Sequence, residues 1–198
     1  VKSTRDAGYQ ILVITPQEFV SNFDDYTLLY LNRGMKTEVA TTESISLTIA
    51  GADLEEKIRN YIIQEYQENG IEYVLLGGDV EHIPYRGFYC YVVSGGGYED
   101  NGIPADLYYS ALDGNWNTNG DNKWGEIGED DLLPDVGVTR WPFSNANQLQ
   151  RLMHKTALYQ DAPVTGELQR PLIAGENLWS DPLTYGCDYL DLLVGHHE

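Results

Sequence analysis

Gln10-Ile11-Leu12-Val13-Ile14-Thr15-Pro16 and Tyr73-Val74-Leu75-Leu76-Gly77-Gly78-Asp79 decide the fold class. Each is a near-continuous apolar run of strand length, followed by a residue that favours a turn. Such runs mark strands buried on both faces, the place of central strands in a parallel sheet covered by helices. Working outward, Phe19, Phe23, Tyr26, Leu29 and Tyr30 share helical spacing over 19–32, with Gly34 at the stop. Lys36 to Thr42 alternates in β-branched residues and reads as the second strand. Asp53 opens a helix with Ile58, Tyr61, Ile62 and Tyr66 on one face, and Asn69-Gly70 closes it. Two β-α-β steps with short connections imply parallel strands and right-handed crossovers. The expected fold is therefore α/β, a doubly wound, mostly parallel sheet flanked by helices. Functional residues in such sheets gather beyond the carboxyl ends of the strands, here near Pro16, Thr42 and Asp79.

Beyond this frame, Arg86 to Ser94 is expected as an added antiparallel strand and 95–102 as a loop. After an acidic, loop-rich insertion over 113–131, Asp135 to Thr139 resumes as a strand. Residues 145–160 read as a helix capped by Ser144 or Asn145. Leu172 to Ala174 reads as a strand behind Pro171, and Tyr185 to Val194 as a last helix. We expect one α/β domain over 1–198, without internal repeats.

The 198 residues carry 12 Lys+Arg against 31 Asp+Glu, a formal charge of −19. That balance argues against a nucleic-acid partner, which requires clustered bases. Hydrophobic content of 42% with 15 Tyr and 4 Trp argues against disorder. No apolar run approaches the ~20 residues of a membrane span. Cys90 and Cys187 are too few for a disulfide scaffold and lack metal-ligand spacing. The chain opens Val-Lys-Ser without Met or signal peptide and closes His196-His197-Glu198, so both ends read as cut from something longer.

The densest chemical signal runs from Asp113 to Glu126, followed by Glu129, Asp130 and Asp131. Oxygen-bearing side chains recur at Asp113, Asn115, Asn117, Asn119 and Asp121, with Gly114, Gly120 and Gly125 between them. Ca²⁺ takes six to eight oxygens from a loop able to wrap around it. Registered on a twelve-residue calcium loop, Asn115, Asn117, Asn119, Gly120, Asp121 and Glu126 fall at positions 1, 3, 5, 6, 7 and 12. The expected ligands are Asp113, Asn115, Asn117, Asn119, Asp121 and Glu126. The plain alternative is a solvated polar turn, where Asn and Gly accumulate for their left-handed backbone. Asp79 could be the acceptor carboxylate of a receiver-like domain, but Ile14-Thr15-Pro16 supplies no acidic pair, and turn capping accounts for it. His82 reads as a loop residue and His154 as helix surface. No GxSxG, HExxH, P-loop or GxGxxG occurs.

The order of short motifs carries a resemblance. Gly34-Met-Lys-Thr-Glu-Val39, Glu56-Lys-Ile-Arg-Asn-Tyr-Ile62 and Ile71-Glu-Tyr-Val-Leu-Leu-Gly-Gly-Asp79 with Ile83-Pro84 form the first block. Ile103-Pro-Ala-Asp-Leu-Tyr-Tyr109, Leu112-Asp-Gly114 and Leu133-Pro-Asp-Val-Gly-Val-Thr-Arg140 form the second. Together they resemble gingipain-type cysteine peptidases over most of residues 10–160. The resemblance implies a caspase-like fold, structural Ca²⁺, a secreted or cell-surface location, and cleavage of protein or peptide substrates by a Cys nucleophile with a His base. In that family the catalytic His-Gly and later Cys lie beyond the segment matching Leu172 to Val194. His196 precedes His197 rather than Gly, and neither Cys90 nor Cys187 matches the nucleophile. The resemblance thus implies the N-terminal part of a peptidase domain, without catalytic residues of its own and completed by the remainder of that domain. It also points to Gly175-Glu-Asn-Leu-Trp-Ser-Asp-Pro182, where gingipains carry the acid that receives a basic side chain. Asp181 is the nearest match, with Glu176 and Asp188 as rivals; a carboxylate there would select Arg or Lys by a charge-assisted bond. The plain alternative is an Asp-Pro turn. A rival for the whole chain is a non-catalytic calcium-binding α/β module.

Overall fold

The computed structural model describes residues 8–93, 96–170, 172 and 174–194. These fall into two compact units, 1–156 and 157–198, each described by itself.

In the first unit, β1 (Ile11–Thr15) leads through a 3-10 turn, Gln17–Phe23, into α1 (Asp24–Leu31). The 19–32 segment therefore begins as a tighter helix. Pro16 sits extended at its start and offers no side-chain cap, so the carbonyl of Pro16 takes the N–H of Phe19 instead. β2 (Thr37–Thr41) follows, then α2 (Thr42–Thr48), which the sequence reading missed. The Thr41 hydroxyl accepts the Ser44 N–H and starts that short helix. α3 (Leu54–Asn69) has both expected ends: Asp53 accepts the Glu56 N–H at 2.9 Å, and Gly70 stops it in the left-handed region at φ 67°. β3 (Tyr73–Gly77) closes the second β-α-β step.

β4 (Arg86–Val92) and β5 (Tyr98–Ala105) form an antiparallel hairpin, so strand extends into the expected 95–102 loop. Gly and acidic residues there read as loop, but cross-strand pairing overrides weak local preference. α4 (Leu107–Ser110) is a single turn. β6 (Gly137–Trp141) begins two residues later than expected, and α5 (Ala146–Asp161) follows it. Asn145 is the cap: it accepts the Gln148 N–H, while Gln148 accepts the Ser144 N–H.

The sheet order is β2-β1-β3-β6, every pair parallel. Strand alternation sorts its side chains into two cores. Leu12, Ile14, Val74 and Leu76 pack with Ile45 of α2 and Ile58 and Ile62 of α3. Ile11, Val13 and Leu75 pack on the other face with Phe19, Phe23 and Tyr26, and with Leu149 of α5. Helices cover both faces, as a doubly wound sheet requires.

The second unit contains α6 (Thr165–Leu168), an antiparallel pair β7 (Asn177–Ser180) and β8 (Leu183–Tyr185), and α7 (Gly186–Val194). The expected 172–174 strand falls partly outside the described residues. No described helix is long and apolar enough to cross a membrane.

Candidate functional site

The carboxyl ends of β1, β3 and β6 lie side by side and are cross-tied. The Thr15 hydroxyl donates to the Gly77 carbonyl at 2.8 Å. Arg140, near the end of β6, donates to the Gly78 and Ile83 carbonyls at 3.1 and 2.6 Å. Its other nitrogens make a bidentate pair with Asp106, at 2.8 and 2.7 Å. One guanidinium therefore fixes the loop after β3 and the start of α4. Asp79 stands at this edge, its carboxylate accepting the Val80 N–H at 2.8 Å and its carbonyl the N–H groups of His82 and Ile83. That is the turn-capping role expected of it. The His82 ring meets Phe19 edge-on, and its Nε2 is buried without a partner.

The 113–131 insertion is irregular throughout and pinned by two tryptophans that the sequence reading did not single out. Trp116 is 1% exposed and stacks on Phe88 of β4 at 4.6 Å, in the left-handed region at φ 64°. Its carbonyl accepts the Gly125 N–H, and the Trp124 carbonyl accepts the Tyr89 N–H. The Arg86 guanidinium lies 3.9 Å from the Trp124 ring and 4.8 Å from that of Tyr108, and pairs bidentately with Asp53 at 2.7 and 3.0 Å. Two aromatics in a stretch otherwise polar were the signal: they bring the buried surface that a charged loop needs to be held.

Within this frame three carboxylates converge. Asp113, Asp131 and Asp135 each place an oxygen within 4.8 Å of the others. Asp135 accepts the Leu112 N–H at 2.7 Å, and Asp131 accepts the Leu133 N–H through one oxygen. The other Asp131 oxygen is buried with no hydrogen-bond donor. Beneath them the Arg59 guanidinium donates to the carbonyls of Tyr108, Ala111, Asp113 and Gly114 at 2.9–3.2 Å. Burial draws Arg59 below its usual range, opposed by Tyr108 and by the charges of Asp131, Asp113 and Asp135.

Of the expected ligands, Asp113 belongs to this group. Asn115, Asn119 and Asp121 each bond the backbone N–H two residues on, at 3.1, 2.9 and 2.9 Å. These are Asx turns, which produce the every-second-residue pattern by local hydrogen bonding. The Asn119 amide also donates to Glu126 at 3.2 Å, and the Asn117 side-chain oxygen is buried without a partner. Asp131 and Asp135 were not among the expected ligands; their distance from Asp113 in sequence hid them.

In the second unit Asp181 and Pro182 form the β7–β8 turn. Asp181, Glu176 and Asp188 are all exposed. The Asp188 carboxylate accepts the Tyr185 N–H at 3.0 Å, just before α7.

The family model of peptidase family C25 matches residues 4–190. Gingipain R2 of Porphyromonas gingivalis (strain ATCC BAA-308 / W83) is 30% identical over 79 residues, 39% of this chain and 10% of that protein. The complex of Porphyromonas gingivalis RgpB pro- and mature domains superposes with a TM-score of 0.52 at 24% identity, over 76% of this chain and 29% of that one. The Arg-specific cysteine proteinase gingipain R (RGPB) gives 0.53 at 23% identity, over 79% and 29%. The parallel sheet with helices on both faces is the fold of those gingipain structures. The chain spans less than a third of each of these relatives.

Proposed function

The chain belongs to peptidase family C25, and on that premise we propose that it is the N-terminal portion of a secreted or cell-surface gingipain-like cysteine endopeptidase. It supplies the scaffold, a calcium site and part of the substrate pocket, while the Cys nucleophile and His base come from the remainder of the peptidase domain. The observation that carries this reading is the family match over 4–190, on a parallel sheet whose carboxyl edge is rigidly tied by Arg140. A peptidase needs nucleophile and base within hydrogen-bond reach of each other, and a fixed strand edge is a surface on which such a pair can be held. The acids of the 176–188 segment, Asp181 first, would receive a basic substrate side chain.

Calcium fits the donor set. Asp113, Asp131 and Asp135 are hard oxygen donors, and the donor-free Asp131 oxygen is an anionic acceptor that a cation would satisfy. Arg59 lies beneath and offsets part of the same charge. The ion's contribution there is structural: it neutralises the three carboxylates and orders the insertion. Asp121 and Glu126 stand outside this group, Asp121 accepting the Lys123 N–H and Glu126 the Asn119 amide, so the rest of the shell would come from backbone carbonyls and water.

The test is a thiol-dependence assay on the full-length parent and on this chain alone, with a panel of peptide substrates. Cleavage by the parent that is lost on thiol alkylation, with none by the chain, is the expected result. Thiol-dependent turnover by the chain itself, or an inert parent, overturns it; the inert parent would leave a non-catalytic calcium-binding module.

A further inference from the structure

The sequence between Val136 and Gln160 contains no Asp or Glu, 25 residues in a chain that has 31 acids among 198. Its bases are Arg140, Arg151 and Lys155. Arg140 is committed to Asp106 and two carbonyls. Arg151 and Lys155 have no hydrogen-bond or ion-pair partner among the described residues, and neither does His154 between them. By contrast Arg59 and Arg86 are buried among oxygens, Lys123 pairs with Glu99 at 2.8 Å, and Lys57 caps the Ser46 carbonyl.

The placement on α5 is regular. Asn147, Gln150, Arg151, His154 and Lys155 fall at i, i+3, i+4, i+7 and i+8, which is one stripe of a helix. All five are exposed and together line one shallow concavity. The opposite face carries Leu149, Leu152 and Met153 into the core, so the stripe cannot turn inward. Arg151 and Lys155, one turn apart, repel each other. The one acid of α5, Asp161, is its last residue, six beyond Lys155 and so outside the i+3 and i+4 reach that would relieve them. The stripe therefore forms a cationic island on a strongly anionic molecule.

We propose that this face of α5 docks an acidic polypeptide segment. Arg151 and Lys155 would pair with its carboxylates, and the side-chain amides of Asn147 and Gln150 would hydrogen-bond its backbone. Charge complementarity selects the partner, and the size of the island selects its kind. A nucleic acid or anionic membrane presents an extended array of charge that the remaining surface would repel, with screening lengths of about 8–10 Å. A short acidic segment can sit on the island alone. The proposal does not depend on the peptidase reading.

The experiment titrates the full chain with a fluorescent Asp/Glu-rich octapeptide, a Lys-rich one of equal length, and a heparin fragment. We expect the acidic peptide to bind at low salt and to weaken several-fold on going to physiological salt. Arg151→Gln combined with Lys155→Gln should weaken it about tenfold, the worth of two exposed ion pairs and their hydrogen bonds, with melting temperature unchanged. Single Gln variants, each with a smaller loss, guard against a fold defect in the pair. Absence of binding, equal binding by the double variant, or tighter binding of heparin than of the peptide would each overturn the proposal. So would concentration-dependent self-association that the double variant abolishes, since the face would then join copies of this chain.

Discussion

Asp53 performs two tasks with one carboxylate: it caps α3 and holds Arg86 between the rings of Tyr108 and Trp124. Burial acts to raise its pKa, but the Arg86 hydrogen bond, the Glu56 N–H and the guanidinium charge together hold it below the usual carboxylate range. A lowered carboxyl contributes stability that is complete above about pH 4 and is lost as pH falls through its folded value. Asp53→Asn should therefore flatten the acid limb of a plot of urea midpoint against pH. The Arg86 side chain is 8% exposed and that of Asp53 42%, so the pair is dry at one end only. Arg86→Met should cost about 2–4 kcal/mol in urea denaturation, at or below the range for breaking a fully buried pair. Tyr61 gives the opposite slope. Burial first, then the charge and hydrogen bond of Glu65, pushes its hydroxyl up to about 12. Its neutral form is favoured in the fold, so its share of stability is whole below about pH 10 and disappears between 10 and 12. Tyr9, Tyr26 and Tyr109 are raised further. Tyr61→Phe should remove only its own part of the alkaline loss.

Two glycines show how the elements are terminated. Gly70 ends α3 at φ 67° with open space where a Cβ would lie. Gly70→Ala should cost about 1–2 kcal/mol by left-handed strain alone, read as a lower thermal midpoint with unchanged helix content. Gly77 ends β3, where a Cβ would sit 2.8 Å from the Phe23 ring and 3.3 Å from the Ile14 carbonyl. Phe23 is boxed in by Tyr26, Trp141 and Phe143 and cannot step aside. Gly77→Ala should cost about 1–3 kcal/mol as overpacking, and Phe23→Leu in the same chain should recover part of it. The insertion is likewise held by its aromatics: Trp116→Ala removes a fully buried ring and should cost about 3–5 kcal/mol. Limited proteolysis of that variant should cut within 113–126 first.

At the scale of the whole molecule, charge dominates. A net −19 opposes compaction at low ionic strength, and the 113–131 segment concentrates it. With Ca²⁺ at about a hundredfold over Kd, binding should add about 2.7 kcal/mol, or roughly 5–10 °C in melting temperature for a chain of this size. Mg²⁺ should substitute poorly because it prefers tight octahedral geometry and keeps its waters. Asp113→Asn and Asp131→Asn should each abolish the Ca²⁺ response, whereas Asp130→Asn should only weaken it. A melting curve indifferent to both Ca²⁺ and EDTA would reduce the insertion to a solvated turn.

The amino-acid sequence by itself determined the sheet and its covering. The runs at 10–15 and 73–77, the Asp53 and Gly70 ends of α3 and the β-α-β rhythm are local patterns, set by side-chain period and backbone preference within a dozen residues. The order of motifs determined the family in the same way. Tertiary structure alone decided what depends on distant residues meeting. The β4–β5 hairpin formed because cross-strand pairing outweighed a composition that reads as loop. Asp113 met Asp131 and Asp135 because Trp116, Trp124 and Arg59 fold the insertion back on itself, whereas the alternation at Asn115, Asn119 and Asp121 proved to be Asx turns. The cationic face of α5 needed the fold as well: periodicity places Arg151, His154 and Lys155 on one stripe, but only the packing of Leu149, Leu152 and Met153 against the sheet shows that the stripe faces water. Local pattern follows from covalent spacing; electrostatic neighbourhood follows from packing, which a linear reading does not contain.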